Sequence, residues 1–210
     1  MFPLSFDELN QLAGYKRSLP YDEYFEDMQI SQRQKERRIG FAKDLDEEVV
    51  YLMAMLFYQR ADGVPFTQEQ TDTFKDGYYR VLREHAMTDD YLDRHIEFLA
   101  ASLIDVTNRH RDEIYYYSKD RARLVAENEA NAVFNHIEYE YEMPAWAVYK
   151  TWNTIIDGRE RDSHNAENGI TVPVSEPFEL PGGLLMYPLD ESLGAGAEEI
   201  VNCRCWVSYS

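Results

Sequence analysis

From about Tyr21 to Tyr141 the hydrophobic residues recur every three or four positions, which is the period of an α-helix. This stretch has few glycines and, apart from Pro65, no proline, so little in it would interrupt a helix. The pattern therefore predicts that the N-terminal two thirds of the chain form a helical assembly.

Four helices of this assembly are marked by apolar stripes or capping residues. The stripe of the first helix consists of Leu45, Val49, Leu52, Met53, Leu56 and Phe57. This helix is predicted to end near Gly63, and a capping box of Thr67 and Gln70 opens the second. Residues 88–90 (Thr-Asp-Asp) cap the third helix, and Ser118 precedes the fourth.

The pattern changes after Pro144. Helical periodicity stops, glycine and proline become frequent, and residues 147–149, 170–172 and 203–207 read as short strands. The Pro-Gly-Gly step at 181–183 predicts a hairpin turn. We expect an α+β protein, with a mainly helical region at 1–145 and a small α+β domain with short strands at 146–210. The small domain is expected to pack on the preceding helix and not to fold alone.

Composition limits the class of protein. With 44% hydrophobic and 14% aromatic residues, the 210-residue chain can bury a sizeable core. No segment approaches the roughly 18 consecutive apolar residues of a membrane span, and residues 1–7 lack the basic start and apolar core of a secretion signal. The expectation is a soluble protein that stays in the cell that makes it.

The net charge of −18 disfavours general binding to nucleic acids, because phosphate affinity depends on Lys and Arg contacts. Both predicted regions are acidic. Two local basic clusters are exceptions, at 33–38 (Arg-Gln-Lys-Glu-Arg-Arg) and 109–111 (Arg-His-Arg). The first cluster is either a nucleic-acid contact or, as we favour, a solvated helix face or a docking patch for an acidic neighbour.

The only two cysteines, Cys203 and Cys205, are expected to be reduced, because a bridge across such a short segment would be strained. With His164 they offer three ligands that zinc accepts, and Asp162 is a conceivable fourth. A Cys-His nucleophile, oriented by Asp162 or Glu129, is a further alternative. We favour the simplest reading, in which the cysteines pack as small buried hydrophobes.

Charged residues of the C-terminal region are expected to form a buried or half-buried network. Its members are Asp157, Arg159, Arg161, Asp162, Glu167 and Arg204, together with Glu129 of the fourth helix. Glu129 interrupts the apolar stripe of the fourth helix near its buried edge, so Arg159, Arg161 or His164 is expected to pair with it. Trp152 is expected to anchor the small domain on the helix that bears Glu129.

The same region carries an ordered series of motifs. They read K-x-W at 150–152, D-x-R-x-R-D-x-H-x4-G at 157–169, P-x-D at 188–190 and N-C-R-C at 202–205. This series resembles the C-terminal signature of the phage Mu F-like minor head proteins, the phage head morphogenesis family. An A-R-T-E core that family members carry upstream is matched at 126–129 only in Ala126 and Glu129, because Glu127 and Asn128 replace the Arg and Thr.

The resemblance implies a structural motif, and we assign no catalytic, cofactor-binding or metal-binding residue. The motif consists of Glu129, Lys150, Trp152, Asp157, Arg159, Arg161, His164, Gly169, Asn202, Cys203, Arg204 and Cys205.

The resemblance also implies a minor head protein of a tailed phage or prophage that acts in head morphogenesis by binding, not as an enzyme. Its partners would be the portal protein and other head proteins, with weak contact to packaged DNA and no membrane. Several copies would lie in the virion near the portal, after assembly in the bacterial cytoplasm. The alternatives are an enzyme or toxin effector using the His/Cys/Glu constellation, and a host-encoded helical adaptor.

Overall fold

The computed structural model describes residues 5–12, 21–63 and 66–210. Residues 1–4 of the segment compared with a secretion signal, and Pro65, lie outside these ranges. Eight α-helices are found in the described part of the chain. They are α1 (Phe6–Leu12), α2 (Asp22–Phe25), α3 (Gln32–Ala61), α4 (Gln68–His85), α5 (Asp90–Arg109), α6 (Lys119–Glu140), α7 (Asp162–Glu167) and α8 (Ala197–Ile200). A short 3-10 helix, Ile114–Tyr117, precedes α6.

Five short strands follow α6. They are β1 (Tyr149–Asn153), β2 (Thr171–Pro173), β3 (Phe178–Leu180), β4 (Gly183–Leu185) and β5 (Trp206–Tyr209). β1 is the central strand of an antiparallel sheet of order β2-β1-β5, and β3 pairs with β4 as a separate hairpin. The predicted α+β class, helical first and with short strands near the C-terminus, is confirmed.

The predicted helix boundaries are set by local hydrogen bonds. The backbone N–H of Thr67 donates to Gln70 Oε1 at 2.7 Å, which is the capping box of α4. Asp89 Oδ1 accepts from the Leu92 N–H at 2.8 Å at the start of α5, and Ser118 Oγ accepts from the Arg121 N–H at 3.2 Å at the start of α6. These start signals are confirmed.

The strand predictions are right in type but shifted along the chain. Residues 147 and 148 precede β1, and Val148 is exposed. Residues 203–205 also precede β5, so the cysteines do not lie in a strand. The turn is confirmed, because Leu180 pairs with Gly183 across Pro181 and Gly182. Gly183 has a φ of 142° and a Cβ there would lie 2.7 Å from the Ala195 Cα, so only glycine fits.

The chain divides into two compact units with boundaries inside α3 and α6. The first comprises Met1–Tyr21 and Gly40–Glu127, and the second, called here the C-terminal unit, comprises Asp22–Ile39 and Asn128–Ser210. The predicted boundary at 145/146, placed where the helical pattern stops, stays a prediction.

Within the first unit, aromatic side chains fill the space between helices. Tyr78 of α4 makes edge-on ring contacts with Phe74, 6.0 Å away between centroids, and with Phe41 of α3, 5.9 Å away. All three side chains are buried, so α4 and the part of α3 that belongs to this unit share an apolar core.

The core of the C-terminal unit combines residues from distant parts of its sequence. Its buried members are Ala132, Trp152, Phe178, Leu180, Leu185, Tyr187, Leu189, Cys203, Cys205 and Val207. Ala132 comes from α6 and the others come from the strands and loops that follow, so α6 closes one side of this core. The candidate site lies in the same core.

Candidate functional site

The site is centred on the imidazole ring of His164, which α7 places beside the two cysteines. His164 Nδ1 lies 3.5 Å from Cys203 Sγ and 3.4 Å from Cys205 Sγ. All three side chains are at most 2% exposed. One nitrogen of the ring therefore faces two sulfur atoms in the protein interior.

The other ring nitrogen is held by a buried carboxylate that sequence reasoning missed. His164 Nε2 lies 3.0 Å from Glu199 Oε2, and Glu199 is itself 3% exposed. Ser163 Oγ and the backbone N–H of Gly182 donate to the same carboxylate at 2.9 and 3.0 Å. The ring is thereby fixed with Nδ1 directed at the sulfurs. Glu199 lies in an acidic segment on the short α8, where nothing in the sequence distinguishes it from a surface residue.

Thr154 and Trp152 complete the surroundings of the ring. The Trp152 indole N–H donates to Thr154 Oγ1 at 3.0 Å, and Thr154 Oγ1 in turn contacts the His164 carbonyl at 2.9 Å and Cys205 Sγ at 3.3 Å. The Trp152 ring meets the His164 ring edge-on, 5.5 Å away between centroids. Trp152 is fully buried, as its predicted anchoring role requires.

The two thiols have opposite electrostatic environments. Burial raises the pKa of Cys203 well above its usual range, and its hydrogen bond to Cys205 raises it further. Burial also raises the pKa of Cys205, but the hydrogen bonds from Cys203 and His164 and the charge of His164 outweigh burial and lower it. Cys205 is therefore the sulfur that carries negative charge more readily.

The cysteine backbone is held by amide side chains of α6. Asn131 Nδ2 donates to the carbonyls of Cys203 and Cys205 at 3.3 and 3.0 Å, and Asn135 Nδ2 donates to the Cys205 carbonyl at 3.0 Å. Asn202 precedes the first cysteine in the left-handed region, with a φ of 59°, which reverses the chain before the cysteines. These contacts fix where the sulfurs lie.

Arg38 holds the two asparagines, although the sequence did not indicate that it lies in the interior. Its guanidinium donates to Asn131 Oδ1 and Asn135 Oδ1, both at 3.2 Å, and forms a two-point ion pair with Glu138 at 2.6 and 2.9 Å. Arg38 is fully buried, and its neighbour Arg37 pairs with Glu142 at 2.7 Å. Lys35 Nζ donates to the Glu26 carbonyl at 2.5 Å, so three of the four basic residues of the cluster at 33–38 are engaged within the protein.

The predicted charge network exists in part, around Asp157. Arg204 donates to both carboxylate oxygens at 2.8 and 2.7 Å, and Arg159 binds the same carboxylate. The hydrogen bond from Arg204 is the main cause that holds the pKa of Asp157 well below its usual range. Arg161 instead donates to the Val201 carbonyl.

Glu129 is buried, as predicted. The three residues proposed to pair with it make other contacts: Arg159 binds Asp157, Arg161 binds the Val201 carbonyl and His164 binds Glu199. The pairing expected for Glu129 stays a prediction. Glu127, where family members carry Arg, pairs with Arg123 one helical turn earlier at 2.9 Å.

Lys150 of the K-x-W motif is buried on the same face of β1 as Trp152, as the two-residue period of a strand requires. Its ammonium donates to the Met186 carbonyl at 2.6 Å and lies 4.7 Å from the centre of the Tyr139 ring. Burial lowers the pKa of Lys150 to about 8, although Asp190 partly opposes this.

The remaining motif residues shape loops. Asp190 accepts from the backbone N–H groups of Met186 and Ser192, each at 2.8 Å, and so fixes the loop after β4. Gly169 has a φ of 84° and donates to the Trp152 carbonyl at 2.8 Å. Glycine is favoured at that φ because a Cβ would be strained.

A cavity of about 20 Å³ lies beside the sulfurs, lined among others by His164, Cys203, Cys205, Glu160 and Asn202. This volume is about that needed for one water molecule. A peptide or nucleotide cannot enter it. The geometry thus suits packing or a single bound ion better than attack by a cysteine on a substrate. Asp162, considered as a fourth ligand, is not part of the close His-Cys-Cys group found among the described residues.

Comparison with known protein families matches residues 101–208 to the phage Mu protein F like family. This match covers just over half of the 210-residue chain and includes the whole His-Cys-Cys site, so the chain belongs to that family. The family indicates a bacteriophage protein with a structural role in head morphogenesis, located in the virion.

No curated protein and no solved structure matches the chain. Among the described helices, none combines the length and the apolar character needed to cross a membrane.

Proposed function

We propose that the protein is a minor head protein of a tailed phage or prophage that binds the portal protein and acts in head morphogenesis without catalysing a reaction. The observation that carries the proposal is the family match over 101–208, within which each sequence motif has a definite structural task. Loops are closed by Asp157, Gly169 and Asp190, and the core is filled by Trp152.

Two further observations support binding over catalysis. The reactive groups of the motif region are buried, and the cavity beside them has room for about one water, so a macromolecular substrate has no access to the sulfurs. The net charge of −18 also disfavours extensive contact with packaged DNA, which leaves protein surfaces as the favoured partners.

Portal binding can be tested by co-expressing the tagged full chain with the portal protein of the same phage or prophage. We expect the chain to co-purify with portal oligomers and to appear in procapsids and virions by mass spectrometry, in several copies per particle. The portal of an unrelated phage serves as the control. Absence from both particles, or equal recovery with the two portals, would refute the proposal.

A second experiment separates the structural function from the enzyme or toxin alternative. Deleting the gene from the phage should give defective heads, and supplying the chain in trans should restore them. Expression of the chain alone should leave host growth unchanged. Normal heads after deletion together with host toxicity would favour the effector alternative.

A further inference from the structure

Three side chains with donor atoms that bind soft metal ions converge in the interior of the C-terminal unit. We propose that His164 Nδ1, Cys203 Sγ and Cys205 Sγ bind one zinc ion. The sequence left this possibility open but favoured simple packing of the cysteines; the arrangement of the donor atoms favours the metal. The inference does not depend on the proposed head function.

The donor separations are those of a tetrahedral zinc site. With Zn–S bonds of about 2.3 Å and a Zn–N bond of about 2.0 Å, tetrahedral angles place a sulfur and a nitrogen about 3.5 Å apart. The two observed Nδ1 to Sγ distances are 3.5 and 3.4 Å, and all three donor atoms lie within 4.8 Å of one another. One ion can therefore reach all three atoms with little side-chain movement.

The surroundings of the histidine have the form that metal sites require. Histidine ligands in zinc sites usually give their second ring nitrogen to a carboxylate, which fixes the ring and strengthens the ligand. Glu199 takes this position, 3.0 Å from His164 Nε2, and is itself held by Ser163 and Gly182. Packing alone gives no reason to bury a carboxylate, a histidine and two thiols in one chain of contacts.

The cysteines are positioned independently of any metal. The amides of Asn131 and Asn135 hold the carbonyls of Cys203 and Cys205, and Thr154 Oγ1 lies 3.3 Å from Cys205 Sγ. Two thiolates balance the charge of Zn²⁺, and sulfur ligands favour zinc over magnesium or calcium.

His164, Cys203 and Cys205 all line the cavity of about 20 Å³ beside the sulfurs, which leaves space there for a fourth ligand. This volume holds about one water molecule, so a water completes the tetrahedron. The neighbouring Glu160 carboxylate already accepts from the N–H groups of Asp157 and Gly158, which keeps it in its loop.

The test is elemental analysis of the full chain purified from zinc-supplemented cells, together with His164→Gln, Cys203→Ser and Cys205→Ser. We expect about one zinc per chain in the wild type and less than about a tenth of that in each variant. His136→Gln is the matched control, because His136 is an equally buried histidine whose Nδ1 meets the Tyr187 hydroxyl, 2.7 Å away. The control should keep its zinc.

A second measurement uses only the wild-type chain, so it tests the proposal even if the variants fail to fold. The wild-type chain, stripped by a chelator and given Co²⁺, should show the visible absorption of tetrahedral cobalt and the near-ultraviolet absorption of a cobalt-thiolate bond. Its melting temperature should fall with chelator and recover with Zn²⁺, since a ligand that binds the folded state stabilises it. A wild type without stoichiometric zinc and without cobalt-thiolate absorption would overturn the proposal, as would a His164→Gln variant that keeps its zinc.

Discussion

Lys150 and Trp152 lie two residues apart on β1 and enter the same core, although one is charged and the other is the largest apolar side chain of the motif region. The strand period places them on one face, and the core accepts the lysine because the Met186 carbonyl and the Tyr139 ring receive its ammonium group. At the scale of single residues, the K-x-W motif is therefore a packing motif with one buried charge.

Truncation of Trp152 should be costly. Its side chain is fully buried between the His164 and Phe178 rings, so Trp152→Ala should lower the free energy of unfolding by about 3 kcal/mol or more. Trp146→Ala is the matched control, because Trp146 is 66% exposed and its loss should change stability by less than about 0.5 kcal/mol. Chemical denaturation followed by circular dichroism measures both. Equal effects of the two substitutions would contradict the packing role.

Lys150 gives a pH dependence with a definite sign. Its pKa is about 8 in the folded protein and 10.5 in a free side chain, so between these values the unfolded state binds more protons and this residue makes stability rise with pH. The wild type should therefore gain stability relative to Lys150→Met as the pH rises from 7 to 9.5. Denaturation at several pH values checks this. If the difference in stability between the two proteins did not change with pH, a lowered pKa of Lys150 would be excluded.

At the scale of elements, one face of α6 carries polar residues that are buried. Asn131, Asn135 and Glu138 follow the helical spacing of four and three, and Arg38 of α3 joins all three. Each polar atom has a partner, which is the condition under which a charged group can remain in the interior. This ladder connects two helices and supports the cysteine segment.

Removal of Arg38 should leave a buried carboxylate without its partner. Arg38→Met should lower the free energy of unfolding by about 3–5 kcal/mol, and Arg38→Met with Glu138→Leu should recover much of the loss. Arg37→Met is the matched control; its ion pair with Glu142 is partly exposed, so its loss should cost less than about 1 kcal/mol. Thermal and chemical denaturation decide the matter. If the single and the double variant were equally stable, the loss of stability would not come from an unpaired Glu138 carboxylate.

At the scale of the whole molecule, the C-terminal unit is assembled from separate parts of the sequence. Its core needs Ala132 of α6, and its polar ladder needs Arg38, yet the strands and motifs lie after residue 148. The predicted domain at 146–210 therefore contains the motifs of the C-terminal region, but it lacks some of the residues that bury them, such as Ala132.

A fragment of residues 146–210 should not fold alone. It lacks the α6 side of its core and the asparagines that hold Cys203 and Cys205, and a chain of this length has little apolar surface to spare. We expect poorly dispersed amide resonances for the fragment in a two-dimensional NMR spectrum, and well-dispersed resonances for the full chain under the same conditions. A dispersed fragment spectrum would establish 145/146 as a true domain boundary.

The amino-acid sequence by itself determined the α+β class, the family motifs, the turn at 181–183 and the helix starts at Thr67, Asp89 and Ser118. These features could be predicted because hydrophobic period, capping and turn chemistry act between neighbours in the chain. Only the tertiary structure decided which distant groups meet. Glu199 is a carboxylate on His164, and Arg38 is an interior residue although it lies in a basic cluster. Burial and partner choice arise from packing between segments far apart in sequence, and no local pattern encodes them.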